Sequence, residues 1–243
     1  MLPRPDPARA SRSAGLAASF RHALRGVVEV AAHERNMKIH LCAGVVLGVV
    51  GSEVAFSFEA RLALVLCVAL VLAGETLNSA LEALVDLHTR EFRHEARRVK
   101  DAAAGVVFLL AAGAALTGAA VVAASWREIG AAWARVEGRA AVDASAVLCV
   151  AVLLFVPMAR LAAAAVAIAG AGSLLVLAAH SVSLTFSVMA LGIWGLAVAA
   201  CFRPPLPDPS GEGTDRQGPA ETSHQVAPPP PAGERVGRGG RSA

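Results

Sequence analysis

Long apolar runs separated by short polar segments dominate the first half of the chain. They cover about residues 39–58, 62–87 and 102–125. A helix of roughly 20 apolar residues is long enough to cross the hydrocarbon core of a bilayer. The pattern therefore predicts three membrane-spanning helices, of which the first is interrupted near its outer end by Glu53.

A second apolar region extends from residue 144 to residue 202. Three residues interrupt it, namely Pro157, Arg160 and His180. Three short spans near 144–158, 161–179 and 182–202 fit these interruptions, and two longer, tilted spans are the alternative. We favour three spans, which return Arg203 to the side of the amino end, whereas two would leave the tail on the other side.

The segment before the first span has a different pattern. Residues 16–36 place apolar side chains on one stripe of a helix, which consists of Leu16, Phe20, Leu24, Val27 and Ala31. Such a stripe predicts an amphipathic helix that lies on the membrane surface. We expect residues 1–15 to be disordered. A removable signal peptide is not expected, because no compact apolar core with a cleavage site is present.

Basic residues are distributed unevenly around the predicted spans. The segment 88–101 contains five Lys or Arg residues, and the segment 52–60 contains none. Because cytoplasmic loops carry the excess of Lys and Arg, the amino end and the segment 88–101 are predicted to be cytoplasmic. Residues 126–143 then form a polar extracytoplasmic connector. Residues 203–243, rich in Pro, Gly and charge, are predicted to form a disordered tail.

The composition agrees with an integral membrane protein. Hydrophobic residues make up 56% of the 243 residues, and the mean hydropathy is +0.57. The predicted fold class is an all-α membrane helical bundle, with a surface helix, three spans and two or three additional carboxyl-terminal spans. The four cysteines are isolated within apolar runs, which indicates small buried side chains rather than a metal site.

The second span carries polar residues that an apolar helix would not be expected to tolerate. At about 100° per residue, Glu75, Asn78, Glu82 and Asp86 fall within one arc of its surface. A rise of about 1.5 Å per residue separates Glu75 from Asp86 by roughly 16 Å, so Glu75 lies near mid-bilayer if Asp86 is at the interface. An acid there costs about 2.5–3.5 kcal/mol. A metal ion, a basic side chain or a bound proton is therefore expected to compensate for it.

Charged residues at the cytoplasmic ends of the other spans can supply this compensation. Glu34 precedes the first span, and Lys100 and Asp101 begin the third. A pocket of Glu34, Glu82 and Lys100 would suit a magnesium-bound polyphosphate, because carboxylates bind Mg²⁺ and basic groups offset phosphate charge. Glu75, deeper and among apolar neighbours, suits a group that accepts a proton from an alcohol. The predicted reactants are a soluble phosphate donor and a lipid.

Two stretches of the sequence match a known motif. GETLNSALEALVD (74–86), followed by VKDAAAGVV (99–107), resembles the signature of the prokaryotic diacylglycerol kinase and undecaprenol kinase family, which are small membrane lipid kinases of bacteria. ERNMKIHL (34–41), preceded by SFRHALRG (19–26), is most similar to the undecaprenol kinase branch. The resemblance covers about residues 16–125, which we take as a lipid kinase domain.

The resemblance implies an assembly and a set of residue roles. It implies a homotrimer in the inner (cytoplasmic) membrane, with active sites shared between neighbours and with ATP and Mg²⁺ as cofactors. The implied roles are a catalytic base at Glu75, metal and nucleotide ligands at Glu34 and Glu82, and supporting polar groups at Asn78 and Asp86. Further nucleotide contacts are implied at Lys100, Asp101, Glu91, Phe92 and Arg93. At the last of these the family has a His, so this chain departs from the pattern there.

The sequence therefore predicts an enzyme that phosphorylates the primary hydroxyl of undecaprenol or diacylglycerol. The choice between the two lipids stays open, although ERNMKIHL favours undecaprenol. No nucleic-acid partner is expected. A cation- or proton-coupled transporter is one rival, but residues 62–73 offer no polar path to the outer face. A structural membrane scaffold is the other. Residues 144–202 have no counterpart in the family pattern, and their role stays open.

Overall fold

The fold is built from helices joined by short connections. The computed structural model describes residues 7–88 and 94–203, with side chains from residue 15 onward except that of His88. All regular structure in these ranges is helical. The helices are α1 (Pro7–His33), α2 (Arg35–Glu53), α3 (Phe58–His88), α4 (His94–Ala124), α5 (Trp126–Phe155), α6 (Arg160–His180) and α7 (Leu184–Cys201).

Five of these helices, α3 to α7, are long and apolar enough to cross a membrane. This confirms the predicted all-α membrane bundle, and the carboxyl-terminal region supplies three of the five. The helix α2, predicted as the first span, is not among them. Its first turns carry Arg35, Asn36, Lys38 and His40, which lower its apolar content. That α2 crosses the membrane stays a prediction.

Two segments outside the predicted spans are helical. Residues 126–143 form the first part of α5, because a polar sequence can continue a helix as long as its backbone hydrogen bonds are made. That they form an extracytoplasmic connector stays a prediction. Residues 7–15, predicted to be disordered, form the first part of α1. The predicted break at Pro157 is present, since α5 ends at Phe155. Proline cannot continue a helix and disfavours helical backbone at the residue before it.

The helix α2 lies in the core of the bundle. One side of it buries Met37, Leu41, Val45 and Val49, four residues apart, against the buried apolar side chains of α5, α6 and α7. The backbones of α2 and α7 approach closely, because a Cβ added at Gly48 would lie 2.7 Å from the Cβ of Ala190. Small residues permit this kind of packing between membrane helices. The carboxyl-terminal helices therefore cover α2, while α3 packs chiefly against α4.

Contacts at both ends of the bundle tie the carboxyl-terminal helices to α1 and α2. Arg203, after α7, forms an ion pair with Glu29 of α1, so the two residues lie on the same side of the bundle. This agrees with three carboxyl-terminal spans rather than two. At the other end, the backbone N–H groups of Val182 and Ser183 both donate to the carbonyl oxygen of Ser52. Residues 1–6 and the predicted tail beyond Arg203 lie outside the described residues.

Candidate active site

The acidic arc of α3 begins at Glu75, which is buried with 3% of its surface exposed. The residue before it, Gly74, allows α4 to come close, since a Cβ there would lie 2.6 Å from Cδ1 of Leu110. The imidazole of His40 on α2 contacts Glu75, and its Nε2 atom lies 3.3 Å from Oε1 of Glu75. No hydrogen-bond partner is recorded for this Oε1 atom among the described residues. The two atoms therefore lie close together without the alignment of a hydrogen bond.

A cavity of about 350 Å³ opens beside this carboxylate. Its polar lining consists of Asn36 and His40 from α2 and Glu75 and Asn78 from α3, and α4 supplies an apolar wall that includes Phe108. A second cavity, of about 200 Å³, is bordered by His40 and otherwise by apolar or small residues of α2, α3 and α4. His40 thus borders both the polar cavity and the apolar one.

Two further carboxylates act on Glu75 electrostatically, one on α3 and the other at the start of α2. Oε1 of Glu82 accepts a hydrogen bond of 2.9 Å from Nδ2 of Asn78, one helical turn away. Glu34, at the break between α1 and α2, accepts a hydrogen bond of 3.4 Å from Oγ of Ser79. The carboxylates of Glu34 and Glu82 are both within electrostatic range of Glu75. The structure therefore brings together four of the residues predicted from the sequence: Glu34, Glu75, Asn78 and Glu82.

A second group of predicted residues lies further along α3 and at the start of α4. Nζ of Lys100 donates a hydrogen bond of 2.6 Å to Oδ1 of Asp86. Asp101 is exposed and lies 3.6 Å from Nε of Arg97. Lys100 thus faces the same helix as Glu75 and Glu82, at the end of the acidic arc. The predicted nucleotide contacts at Glu91, Phe92 and Arg93 lie outside the described residues.

The donor set is compatible with a magnesium ion shared with a substrate. Among the described residues, no group of three or more His, Cys, Asp or Glu side chains is close enough to hold a metal ion by itself. Mg²⁺ usually binds through one or two carboxylates and takes its other ligands from water and phosphates. Glu34 and Glu82 provide such carboxylates. Oδ1 of Asn78 is buried and has no hydrogen-bond partner within the part of the chain that the structure describes. These oxygens fit Mg²⁺ carried by a polyphosphate.

The part of the chain that holds this site matches known proteins. A family model described as prokaryotic diacylglycerol kinase matches residues 21–122. A diacylglycerol kinase of Synechocystis sp. is 39% identical over 104 residues, which are 42% of this chain and 59% of that protein. An undecaprenol kinase of Bacillus subtilis is 38% identical over 93 residues, which are 38% of this chain and 76% of that protein. The chain belongs to the prokaryotic diacylglycerol kinase family.

Membership in this family of membrane lipid kinases confirms the predicted resemblance. The matched region runs from the middle of α1 to the end of α4 and contains Glu34, Glu75, Asn78, Glu82 and Lys100. The helices α5 to α7 lie outside it. The chain spans less than two thirds of the length of the Synechocystis relative. No solved structure matches the chain significantly.

Two polar features of the structure were not predicted from the sequence. The motif ERNMKIHL contains His40 but gives no sign of its contact with Glu75. Glu53 was interpreted as an interruption of the first span, but it is fully buried and bound by Arg139 of α5. Both contacts join different helices, so helical periodicity within one segment carries no signal for them.

Proposed function

We propose that the protein transfers the γ-phosphate of ATP to the primary hydroxyl of a membrane lipid alcohol. The observation that carries this proposal is the buried carboxylate of Glu75, which lines a cavity between α2, α3 and α4 together with Asn78 and lies within electrostatic range of Glu34 and Glu82. Burial excludes water from a group that must take a proton from an alcohol. The neighbouring oxygens suit the charge of a magnesium nucleotide.

In this proposal each chain residue has a defined task. Glu75 accepts the proton of the lipid hydroxyl while the hydroxyl oxygen forms a bond to the γ-phosphorus. The bond between the γ-phosphorus and the β–γ bridging oxygen breaks at the same time, and ADP leaves. Lys100, drawn to the acidic arc by Asp86, offsets charge on the phosphates. Glu34 and Glu82 would hold Mg²⁺, which neutralises charge on the phosphates when it is bound.

The lipid is proposed to reach the site from within the bilayer. The apolar cavity bordered by His40 lies between α2, α3 and α4 and is lined by residues such as Val68, Val71 and Gly118. It gives an alkyl or polyprenyl chain a place to pack while the hydroxyl remains at the polar cavity. The two relatives carry the names of different substrates, diacylglycerol and undecaprenol. We favour undecaprenol for this chain because of the stretch ERNMKIHL.

The experiment that tests this proposal uses membranes containing the full chain, γ-labelled ATP and a panel of lipid alcohols that includes undecaprenol and diacylglycerol. We expect label in one lipid phosphate, and none with membranes that lack the protein. Absence of labelled lipid across the whole panel would refute the kinase. A cation- or proton-coupled transporter would instead move its ion across sealed vesicles without ATP, so the two activities are measured separately.

The assembly and the location are also proposals. The family resemblance supports a homotrimer in the inner membrane. Each copy would cross the membrane several times, since five of its helices are long and apolar enough to do so. The mass of the detergent-solubilised protein, measured by light scattering with the detergent subtracted, tests the trimer. A monomer that retains full activity would contradict it.

A further inference from the structure

His40 is a polar side chain next to the reacting carboxylate that the family pattern leaves without a role here. Its Nε2 atom lies 3.3 Å from Oε1 of Glu75, and its side chain is 26% exposed while that of Glu75 is 4% exposed. The imidazole therefore comes from another helix, α2, and approaches a carboxylate that is almost removed from solvent. A contact of this kind restricts the orientation of the carboxylate, because rotation of the carboxylate would break the contact with His40.

The other charged groups around Glu75 cannot hold it in this way. Glu34 and Glu82 are acids, and both act on Glu75 only through like charge. Asn78 lines the same cavity, but its Nδ2 atom donates to Glu82. In the described part of the chain, the side-chain nitrogen that contacts the carboxylate of Glu75 is Nε2 of His40. An imidazole with hydrogen on Nε2 donates to a carboxylate oxygen.

We propose that His40 is a positioning residue that holds one carboxylate oxygen of Glu75 and so leaves the other directed to the lipid hydroxyl. This inference rests on the proposed kinase function and deepens it. The contact lacks full hydrogen-bond alignment in the free protein. Catalytic hydrogen bonds are often loose before substrate binds and tighten in the reacting complex. The position of His40 at the border of the apolar cavity places it where a bound lipid would press against the ring.

The test compares two replacements of similar size that differ in one property. His40→Gln keeps an N–H donor at about the reach of Nε2, and His40→Met fills the space without a donor. His180→Gln, at the far end of α6, is the matched control, since within the described residues its ring bonds to the backbone carbonyl of Val176 in its own helix. Each full-length variant is assayed in membranes with γ-labelled ATP and the lipid that the wild type phosphorylates. The kcat and both KM values are determined.

A positioning role predicts a defined pattern in these values. We expect His40→Met to lower kcat by about 10- to 100-fold, the range for a misplaced reacting group, with the KM for ATP changed by less than about twofold. His40→Gln should regain most of that loss, and His180→Gln should behave as the wild type. A role in packing alone would affect Gln and Met variants alike and would also lower binding of a non-hydrolysable MgATP analogue.

The outcomes separate this inference from the proposed function. Wild-type membranes that label no lipid would overturn the kinase and this inference with it. If the wild type is active and His40→Met has the same kcat, the positioning role is overturned and the kinase function stands. Equal losses of kcat in the Gln and Met variants would have the same meaning. A loss in His40→Met that appears only as a raised KM for ATP would also overturn it.

Discussion

Arg139 of α5 donates a hydrogen bond of 2.7 Å from Nη1 to Oε1 of Glu53 at the end of α2. Glu53 is fully buried, and its backbone carbonyl accepts a second bond, of 3.0 Å, from Nη2 of Arg135. These contacts join a helix outside the family match to one inside it. The additional carboxyl-terminal helices are therefore attached to the kinase region by a buried ion pair as well as by apolar packing.

Breaking this ion pair should destabilise the bundle. Removing one partner of a buried pair leaves an uncompensated charge and costs about 3–5 kcal/mol. Because the Arg139 side chain is 27% exposed, and because Nε of Arg135 still lies 3.9 Å from Oε2 of Glu53, we expect no more than the lower end for Arg139→Ala, about 3 kcal/mol. Denaturant unfolding in detergent measures this loss. The exposed Arg127→Ala in the same helix is the control and should change stability by less than about 0.5 kcal/mol. Equal stability of the two variants would contradict the role of the pair.

Packing of α2 against α7 predicts a different effect at two glycines. A Cβ at Gly48 would lie 2.7 Å from the Cβ of Ala190 and 3.1 Å from the carbonyl oxygen of Phe186, whereas a Cβ at Gly113 meets nothing within 4 Å. Gly48→Ala should therefore cost about 1–3 kcal/mol through overpacking. Gly113→Ala should be neutral or slightly stabilising. The same unfolding measurement compares the two variants. An equal change in stability would show that the close approach of α2 and α7 does not restrict the size of residue 48.

Lys100 should contribute to nucleotide use far more than to stability. Its ion pair with Asp86 is substantially exposed, and such pairs contribute only about 0–1 kcal/mol. We expect Lys100→Ala to lower kcat/KM for ATP by about 100-fold or more, as for the loss of one charge-stabilising group. Its unfolding midpoint should stay close to that of the wild type. The exposed Arg160→Ala serves as the control. A loss of activity that matches a loss of folded protein would refute a direct role.

Glu82 should set the dependence on magnesium. Glu82→Gln removes the charge but keeps an oxygen that can accept the bond from Asn78. We expect the Mg²⁺ concentration for half-maximal activity to rise by about tenfold or more, and a chelator of divalent cations to abolish wild-type activity. Glu59→Gln, on an exposed part of α3, should leave the Mg²⁺ titration unchanged. An unchanged titration for Glu82→Gln would remove this residue from the metal site.

The sequence predicted contacts within a helix better than contacts between helices. Asn78 and Glu82 were placed on one arc by the helical repeat, and they form a hydrogen bond one turn apart. The partners of Glu53 are 82 and 86 residues away in the chain, so no local pattern could identify them. His40 was missed for the same reason, since its contact with Glu75 depends on how α2 packs against α3.

Hydropathy does not locate the ends of helices. The polar segment from Trp126 and the apolar run that follows it belong to one helix, α5. Hydropathy reports which residues suit lipid, and it does not report where backbone hydrogen bonds end. The break at Pro157 was predicted correctly because proline acts on the backbone itself.

Replacing Glu75 tests the proposed kinase mechanism most directly. Transfer of label from γ-labelled ATP to the lipid alcohol is measured for the wild type and for Glu75→Gln, alongside binding of a non-hydrolysable MgATP analogue. We expect turnover to fall by about 10²-fold or more, the scale of general base catalysis, while nucleotide binding remains within about twofold. Full turnover in the Gln variant would contradict a buried carboxylate acting as the base.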